Sequence, residues 1–300
     1  MKYVKVVICL LLFFAIERFC YEKTKGFRLY KVKAHFEGRP EWATEALSQN
    51  EESRMRSLLE QPFEFLDTGC QCYAFLSQDQ TMILKLFKQH HFTPIPWLQS
   101  ILLPSSLSAM RDRYLETRSK RFSHTFGSCY LAGTTLKEKT GCFYLHLNPT
   151  SHWKKSLEIV DKLGIHHFLD VDSSVFILQE RAERVDDRVR RLMRLNQEQE
   201  AQRSLSSILT LLADLNQTQI INKDPAIKKN MGFVNNKAIL IDIGSFTKSP
   251  SPLSPTQQKE RLLKSTESFM RWLSKEYPSL ANYLQEQLQI ATCQIDLLHN

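Results

Sequence analysis

The chain of 300 residues is long enough for a two-lobed enzyme or for two ordinary domains. Hydrophobic residues make up 42% of it and charged residues 24%, which excludes a largely disordered chain, and the low number of nine glycines argues against glycine-rich fibrous architectures. The net charge of +8 suits nucleotide phosphates, anionic membranes or acidic proteins, and nucleic acid is disfavoured as a partner because no DNA- or RNA-reading motif accompanies it.

An apolar segment lies at the start of the chain, where Val6–Ile16 carries no charge. As a helix this run rises about 16 Å against the ~30 Å hydrocarbon core of a bilayer, which is closer to a signal-peptide core than to a full span. The basic residues between positions 18 and 33 outnumber those before the run, and the more basic flank tends to stay in the cytoplasm. We therefore expect residues 1–26 to form an N-terminal hydrophobic anchor or signal-like segment, transmembrane or interfacial, with the folded part membrane-associated on the cytoplasmic side. Secretion, or burial of this segment as a first strand or helix, are the alternatives.

The next part of the chain, residues 27–62, is a polar lead-in that ends in a short helix near Glu51–Glu60. Short apolar segments then predict strands, and a hairpin-type turn at 77–80 separates the second strand from the third. A charged helix is predicted from about Ser106 to Phe122, and a helix-like stretch lies around Trp153–Lys162. The predicted strands are Phe63–Leu66, Tyr73–Leu76, Met82–Phe87, Ser128–Leu131, Cys142–Leu147 and Val175–Leu178.

After Glu183 the pattern becomes helical. Leucines and isoleucine between Leu205 and Leu215 recur at close to i, i+3, i+4, i+7 spacing, which predicts a helix with one buried face. A polar loop, a short strand at Ala238–Asp242, a proline-rich linker and two terminal helices over Gln257–Leu273 and Pro278–Leu298 follow. The sequence thus predicts an α+β, two-lobed fold, with a strand-rich part at 63–183 and a short helical part at 184–300.

A lysine in the third predicted strand is the first candidate for chemistry. Lys85 is flanked by apolar residues on both sides, and a lysine on a buried strand is costly unless its ammonium meets an anion. The alternative is a lysine without a functional role that points outward from an edge strand. The segment Gly69–Ala74 precedes it at a strand–turn–strand, and only Gly69 of this segment is a glycine.

Three polar residues form the second candidate set. Asp224 and Asn230 lie in the loop after the long helix, and Asp242 ends the apolar strand in the sequence Asp-Ile-Gly. A buried strand that ends in a carboxylate calls for a partner, and Mg²⁺ is one such partner. Ordinary turn chemistry beside Pro225 and before Gly244 is the alternative for each residue taken alone.

In this order the residues resemble an atypical, divergent bacterial member of the protein-kinase-like superfamily, over about Phe63–Asp242. The resemblance implies a kinase-like fold with a strand-rich N-lobe and a short helical C-lobe, and ATP and Mg²⁺ as cofactors. For the nucleotide, the resemblance implies that Gly69 lies in the phosphate-covering loop and that Lys85 binds the phosphates. Glu116 would be the ion-pair partner of that lysine, with Glu138 as a second choice, and Glu180 would lie in the adenine-binding hinge Leu178–Ala182. Asp224 would be the catalytic aspartate, and Asn230 and Asp242 would be metal ligands.

The sequence departs from the kinase pattern in its catalytic loop. That loop reads Asn-Lys-Asp, and its Asp-x₅-Asn spacing is one residue longer than Asp-x₄-Asn, so either the loop bulges or Asn230 is displaced. Fewer than sixty residues follow Asp242, without an Ala-Pro-Glu segment. The prediction is therefore an Mg²⁺-ATP-dependent phosphotransferase with an unidentified protein or small-molecule acceptor. A pseudokinase that binds nucleotide or serves as a scaffold, and an unrelated membrane-associated interaction protein, are the alternatives.

Overall fold

The computed structural model describes residues 2–33, 38–93, 98, 100–101 and 103–297. These residues fall into two compact units. The first unit comprises residues 1–122 and 144–178, and the second comprises 123–143 and 179–300. Each of the predicted segments 1–26, 27–62, 63–183 and 184–300 includes at least one residue outside the described part.

A seven-stranded sheet forms the centre of the first unit. Its strands run in the order β4-β7-β3-β2-β1-β5-β6, in which β1, β2 and β3 are an antiparallel meander and β5 pairs with β1 in parallel. Alternation places Phe63, Phe75 and Leu84 on the buried side, as expected for a sheet with one covered face. The strands are β1 (Phe63–Thr68), β2 (Cys72–Ser77), β3 (Met82–Phe87), β4 (Cys142–His146), β5 (Ser156–Val160), β6 (His166–Asp170) and β7 (Phe176–Glu180), the last residues of β7 and the first of β4 belonging to the second unit.

Two helices precede the strands of this sheet in the chain, and a third separates β3 from β4. The helix α1 (Lys2–Thr24) opens the chain, and α2 (Gln49–Leu58) begins at a capping box formed by Ser48 and Glu51. A long helix, α3 (Ser105–Thr134), starts in the first unit and ends in the second. The lead-in contributes to the core, because the side chains of Phe27, Val32 and Trp42 are buried.

The second unit is mostly helical. The helix α6 packs against α5, α8 and α9 through its buried leucine face, as the spacing predicts. Two small sheets complete the unit, one in the order β11-β10-β8 and one that pairs β12 with β9. The elements are α4 (Lys137–Thr140), β8 (Glu183–Arg184), α5 (Val185–Arg194), α6 (Glu198–Gln217), β9 (Ile220–Asn222), α7 (Ile227–Asn230), β10 (Met231–Val234), β11 (Lys237–Leu240), β12 (Phe246–Lys248), α8 (Pro255–Glu276) and α9 (Pro278–Leu297).

The mixed α+β class, with strands first and helices second, is confirmed. Two element predictions are wrong. Ser128–Leu131 is not a strand but part of α3, whose buried residues Phe122, Phe126 and Cys129 recur at helical spacing. The stretch Trp153–Lys162 is not helical, since it contains β5 and leads through a turn into β6.

The transmembrane prediction for the N-terminal segment is also wrong. Among the residues that the structure describes, no helix has both the length and the apolar composition that crossing a membrane requires. In α1 the charged residues Lys5, Glu17 and Arg18 enclose an apolar run of only eleven residues. The side chains of that run are exposed, with Phe13 64% and Phe14 65% accessible.

Candidate functional site

A polar loop between β9 and β10 carries Asp224 in the second unit. The Asn222 side-chain oxygen accepts a hydrogen bond from the Asp224 backbone N–H at 3.0 Å, so the loop leaves β9 in an Asx turn, and the Asp224 carboxylate is exposed. The loop ends in the short helix α7, where the Asn230 N–H donates to the Ala226 carbonyl at 2.8 Å.

Asn230 joins this loop to the strand end that carries Asp242. It is 7% exposed, and its Nδ2 donates to the Asp224 carbonyl at 3.0 Å. Its own carbonyl accepts the backbone N–H groups of Ile241 at 2.8 Å and Asp242 at 3.3 Å. A single buried asparagine thus fixes the backbone of both aspartates, which are eighteen residues apart in the sequence.

The Asp242-Ile243-Gly244 segment is held from both sides. Asp242 is exposed, and its Oδ1 accepts the Gly244 N–H at 3.1 Å. The buried Ser128 hydroxyl on α3 donates to the Ile243 carbonyl at 2.6 Å and accepts the Phe246 N–H at 2.6 Å. The carboxylate of Asp242 therefore projects from a backbone whose position is set by α3 and Asn230.

The end of β7 and the residues that follow it pack next to the same loop. The Gln179 side chain, 2% exposed, donates to the carbonyls of Leu240 at 3.0 Å and Thr140 at 2.5 Å. The Glu180 N–H donates to the Gly141 carbonyl at 2.8 Å, and Glu183 pairs with Phe233 on β10. The segment predicted as a hinge is thus hydrogen-bonded to β11 at Leu240, two residues before Asp242.

Glu183 also anchors the linker to α5. Its carboxylate receives two hydrogen bonds from the Arg191 guanidinium, at 2.7 and 2.8 Å, and these bonds, with Arg188 nearby, hold the pKa of Glu183 below its usual value. Arg188 is 8% exposed and also reaches Ser204 and Asn236. This network is structural, because every charged member has a protein partner.

Lys85 and Gly69 belong to the first unit. Lys85 is half-buried on β3, opposite Ala74 of β2. Gly69 lies in the three-residue turn between β1 and β2, where its N–H donates to the Cys72 carbonyl at 2.9 Å and its carbonyl accepts the Lys88 ammonium at 2.6 Å. A Cβ on Gly69 would meet only the Cys72 carbonyl, at 3.7 Å, so the turn itself does not require glycine.

Glu116, the predicted ion-pair partner of Lys85, lies on α3 with its side chain 62% exposed. Its carboxylate pairs with Lys120 at 2.7 Å, one turn further along the same helix, and this hydrogen bond lowers the pKa of Glu116. The structure thus gives Glu116 a local partner on its own helix.

The metal-binding part of the prediction rests on two residues. Within the described parts of the chain, no group of three or more histidine, cysteine, aspartate or glutamate side chains is arranged to hold a metal ion. Mg²⁺ is usually bound through one or two carboxylates together with substrate phosphates and waters, and hard cations prefer oxygen ligands. The exposed carboxylate of Asp242 and the side-chain oxygen of Asn230 fit that chemistry.

No protein-family model matches this sequence, and no curated protein is significantly similar to it.

Sequence reasoning missed Gln179 as a positioning residue, although it placed Gln179 in the hinge, and it missed Ser128 altogether. The signal at Gln179 is an amide after three apolar residues of β7, because a buried amide needs hydrogen-bond partners. Nothing in the sequence indicated the role of Ser128, which was placed in a predicted strand rather than in α3.

Proposed function

We propose that this chain is an Mg²⁺-ATP-dependent phosphotransferase of an atypical, kinase-like type, with an acceptor of unidentified class. One observation carries the proposal: Asn230 bonds to the Asp224 carbonyl through its side chain and to the Ile241 and Asp242 N–H groups through its backbone. Phosphoryl transfer needs a base near the acceptor and oxygen ligands for a metal, supplied by separate parts of the chain and held in fixed positions.

Each of the residues has a defined task in this proposal. The Asp224 carboxylate accepts the proton of the acceptor hydroxyl while the new O–P bond forms and the bond to the leaving ADP oxygen breaks. Asp242 and the side-chain oxygen of Asn230 hold Mg²⁺, which when bound neutralises charge on the phosphates. The Lys85 ammonium positions those phosphates, and the backbone of the linker from Glu180 to Ala182 binds the adenine.

Three features support the placement of these roles. Lys85 lies on the third strand of an antiparallel meander, where kinases carry their phosphate-binding lysine. The strand order β1-β2-β3-β7-β4 brings the linker out of the strand that neighbours β3. The Asp242 carboxylate follows a buried strand, and its Ile243-Gly244 neighbours occupy the remainder of an Asp-x-Gly motif.

The first test measures the melting temperature with ATP and MgCl₂ at millimolar concentration, together with ADP release. We expect the wild-type protein to be stabilised, by about 2.7 kcal/mol at a ligand concentration one hundred times the Kd. Lys85→Met and Asp242→Asn lose most of this stabilisation. Asp224→Asn keeps it but releases ADP about 100-fold more slowly, because only the proton acceptor is lost.

Matched controls are Lys264→Met and Asp187→Asn, which change exposed residues of the same types in α8 and α5. Both should bind and turn over ATP like the wild-type protein. Absence of any nucleotide-dependent stabilisation of the wild-type protein at millimolar ATP and Mg²⁺ would refute the proposal.

A pseudokinase that binds nucleotide without transferring phosphate is the second candidate. The β1–β2 turn favours it, because the Gly69 N–H is bonded to the Cys72 carbonyl and does not donate outward. In that case ATP stabilises the protein, no ADP is released above the buffer rate, and Asp224→Asn has no effect on either measurement.

A further inference from the structure

The end of the sheet near the β1–β2 turn carries a cluster of cations, which we call the cationic cluster. It consists of Lys31, Lys88, Arg118 and Arg121, and all four residues belong to the first unit. Lys31 ends a one-turn helix of the lead-in, Lys88 follows β3 directly, and Arg118 and Arg121 lie one turn apart on α3. Three separate segments therefore bring positive charge to one place.

Lys88 of the cationic cluster lies on the face of the sheet opposite Lys85. The Lys88 ammonium stands 4.7 Å from the centre of the Tyr73 ring, and Tyr73 pairs with Leu86. Lys85 pairs with Ala74, the neighbour of Tyr73, so its side chain points to the other face. The cluster is thus distinct from the lysine that the proposed function uses.

Backbone carbonyls, rather than carboxylates, are the hydrogen-bond partners of three of these cations. Lys88 donates to the Gly69 carbonyl at 2.6 Å, Lys31 to the Gly26 carbonyl at 3.0 Å, and Arg118 to the His90 carbonyl. In the part of the chain that the structure describes, none of the four forms a salt bridge with an acidic residue, whereas Glu116 and Asp112 on α3 pair with Lys120 and Arg111. The positive charge of the cluster is therefore not neutralised.

The one-turn helix Gln89–His91 adds buried polar atoms to the same place. Gln89 is 2% exposed, yet neither its amide nitrogen nor its amide oxygen has a hydrogen-bond partner among the described residues, and the same holds for Nδ1 of His90. Native proteins satisfy nearly all such groups, and leaving one unsatisfied costs about 1–3 kcal/mol. Gln89, the residue directly after Lys88, thus carries polar atoms that the described residues leave unpaired.

The neighbouring histidines respond to the same positive field. Burial, followed by the charges of His91, Lys31, Lys88 and Arg118, lowers the pKa of His90 to about 4. Burial and the surrounding cations lower the pKa of His91 as well. Both imidazoles are consequently neutral near pH 7, and each can offer one N–H without adding charge.

We propose that the cationic cluster, together with Gln89, is a binding site for a phosphate group, separate from the nucleotide site of the proposed function. A phosphate dianion needs several positive charges and several N–H donors, and it suits the planar guanidinium of Arg118 and the point charge of Lys88. The source is either inorganic phosphate or a small phosphomonoester. The charges come from the lead-in, from the residue after β3 and from α3. A bound phosphate would therefore connect these three segments.

The experiment titrates the full-length protein with sodium phosphate at pH 7.5, with sodium chloride added to keep the ionic strength constant. It measures the heat of binding by calorimetry and the melting temperature of the protein. We expect saturable binding and an increase in melting temperature in the wild-type protein. Lys88→Met and Arg118→Met each weaken phosphate binding about tenfold or more, since each removes a charge-assisted hydrogen bond. Arg113→Met, an exposed arginine on the same helix, serves as the matched control and binds like the wild-type protein. Glucose 6-phosphate in a parallel titration shows whether a phosphomonoester binds more tightly than phosphate alone.

The outcomes separate this site from the nucleotide site. Phosphate binding that persists in Lys85→Met and Asp242→Asn supports the proposal, whatever those variants do to ATP. Absence of saturable binding, binding unchanged in both Lys88→Met and Arg118→Met, or binding that is lost in Lys85→Met, overturns it. Circular dichroism of each variant identifies a folding defect, and Lys88→Gln and Arg118→Gln, with polar side chains, then repeat the measurement.

Discussion

At Gly232, the backbone of β10 passes so close to the linker after β7 that a side chain has no room. A Cβ there would lie 2.8 Å from the Ala182 Cβ and 2.9 Å from the Glu183 carbonyl oxygen. We expect Gly232→Ala to lower the free energy of unfolding by about 1–3 kcal/mol, because the backbone must shift to relieve the overlap. Urea denaturation of both proteins measures the change.

Gly127→Ala is the matched control for this substitution. Gly127 lies inside α3, and a Cβ there would meet nothing within 4 Å. The control should be neutral or stabilise the protein, by up to about 1 kcal/mol, since alanine favours the helix more than glycine does. Equal destabilisation by both substitutions would show that the close approach at Gly232 is not the cause.

Asp172 gives a prediction about pH. Burial raises its pKa, but hydrogen bonds from the Thr150 hydroxyl and from the N–H groups of Lys154, at 2.7 Å, and Trp153, at 3.1 Å, outweigh burial and hold the pKa below its usual value. A lowered pKa means that the carboxylate stabilises the fold at pH above about 4, the unfolded value, and that this contribution is lost as the pH falls further.

Asp172→Asn should therefore destabilise the protein at pH 7 by about 1–3 kcal/mol, because its amide cannot accept all of these hydrogen bonds. The difference from the wild-type protein should shrink as the pH is lowered from 5 to 3. Urea denaturation at each pH measures it, with Asp187→Asn as the control. A difference that stays constant with pH would mean that the Asp172 charge does not contribute.

At the scale of elements, Ser128 connects α3 to the segment after Asp242. Its buried hydroxyl makes two hydrogen bonds of 2.6 Å, to the Ile243 carbonyl and from the Phe246 N–H. Ser128→Ala leaves both backbone groups buried without that partner. We expect a loss of about 1–3 kcal/mol in the free energy of unfolding and, under the proposed function, weaker Mg²⁺-ATP binding.

The control for this substitution is Ser274→Ala in α8, where the exposed hydroxyl bonds to the Met270 carbonyl of its own helix. That substitution should change the free energy of unfolding by less than about 0.5 kcal/mol. If Ser128→Ala destabilises the protein but leaves nucleotide binding intact, Ser128 is structural only.

The sequence predicted elements well where one period was unambiguous. A short apolar run after a turn predicted β3, Met82–Phe87, to the residue, and the leucine spacing predicted α6. The errors lie where apolar residues were few and local. Ser128–Leu131 fits a strand taken alone, and only its distance from Phe122 and Phe126 reveals the continuing helix.

At the scale of the whole molecule, the hydrogen bonds that connect the candidate residues were not predictable from the sequence. Asp224, Asn230 and Asp242 could be chosen because a buried strand followed by a carboxylate needs a partner. The bonds from Gln179 to Leu240 and from Ser128 to Ile243 join residues 61 and 115 positions apart. No local pattern encodes such pairs, since they depend on how the helices and strands pack.

The N-terminal boundary of the stable fold can be located from the burial of side chains. The side chains of α1 are almost all exposed, whereas Phe27 is 4% exposed and packs edge-on against Tyr73 and Phe75. Gly26 is also part of this packing, because its carbonyl accepts the Tyr73 hydroxyl at 2.6 Å. The boundary of the stable fold should therefore lie near residue 25, and the residues directly after it should be essential for stability.

Removal of residues 1–24 should change the melting temperature by less than about 2 °C, because exposed side chains contribute little. Removal of residues 1–33 should lower it by about 10 °C, because the Phe27 and Val32 side chains leave the core. Phe27→Ala in the full-length chain is the matched variant and should account for much of that loss. Equal destabilisation by both truncations would place α1 within the stable fold, and equal stability would show that the Phe27 contacts do not contribute.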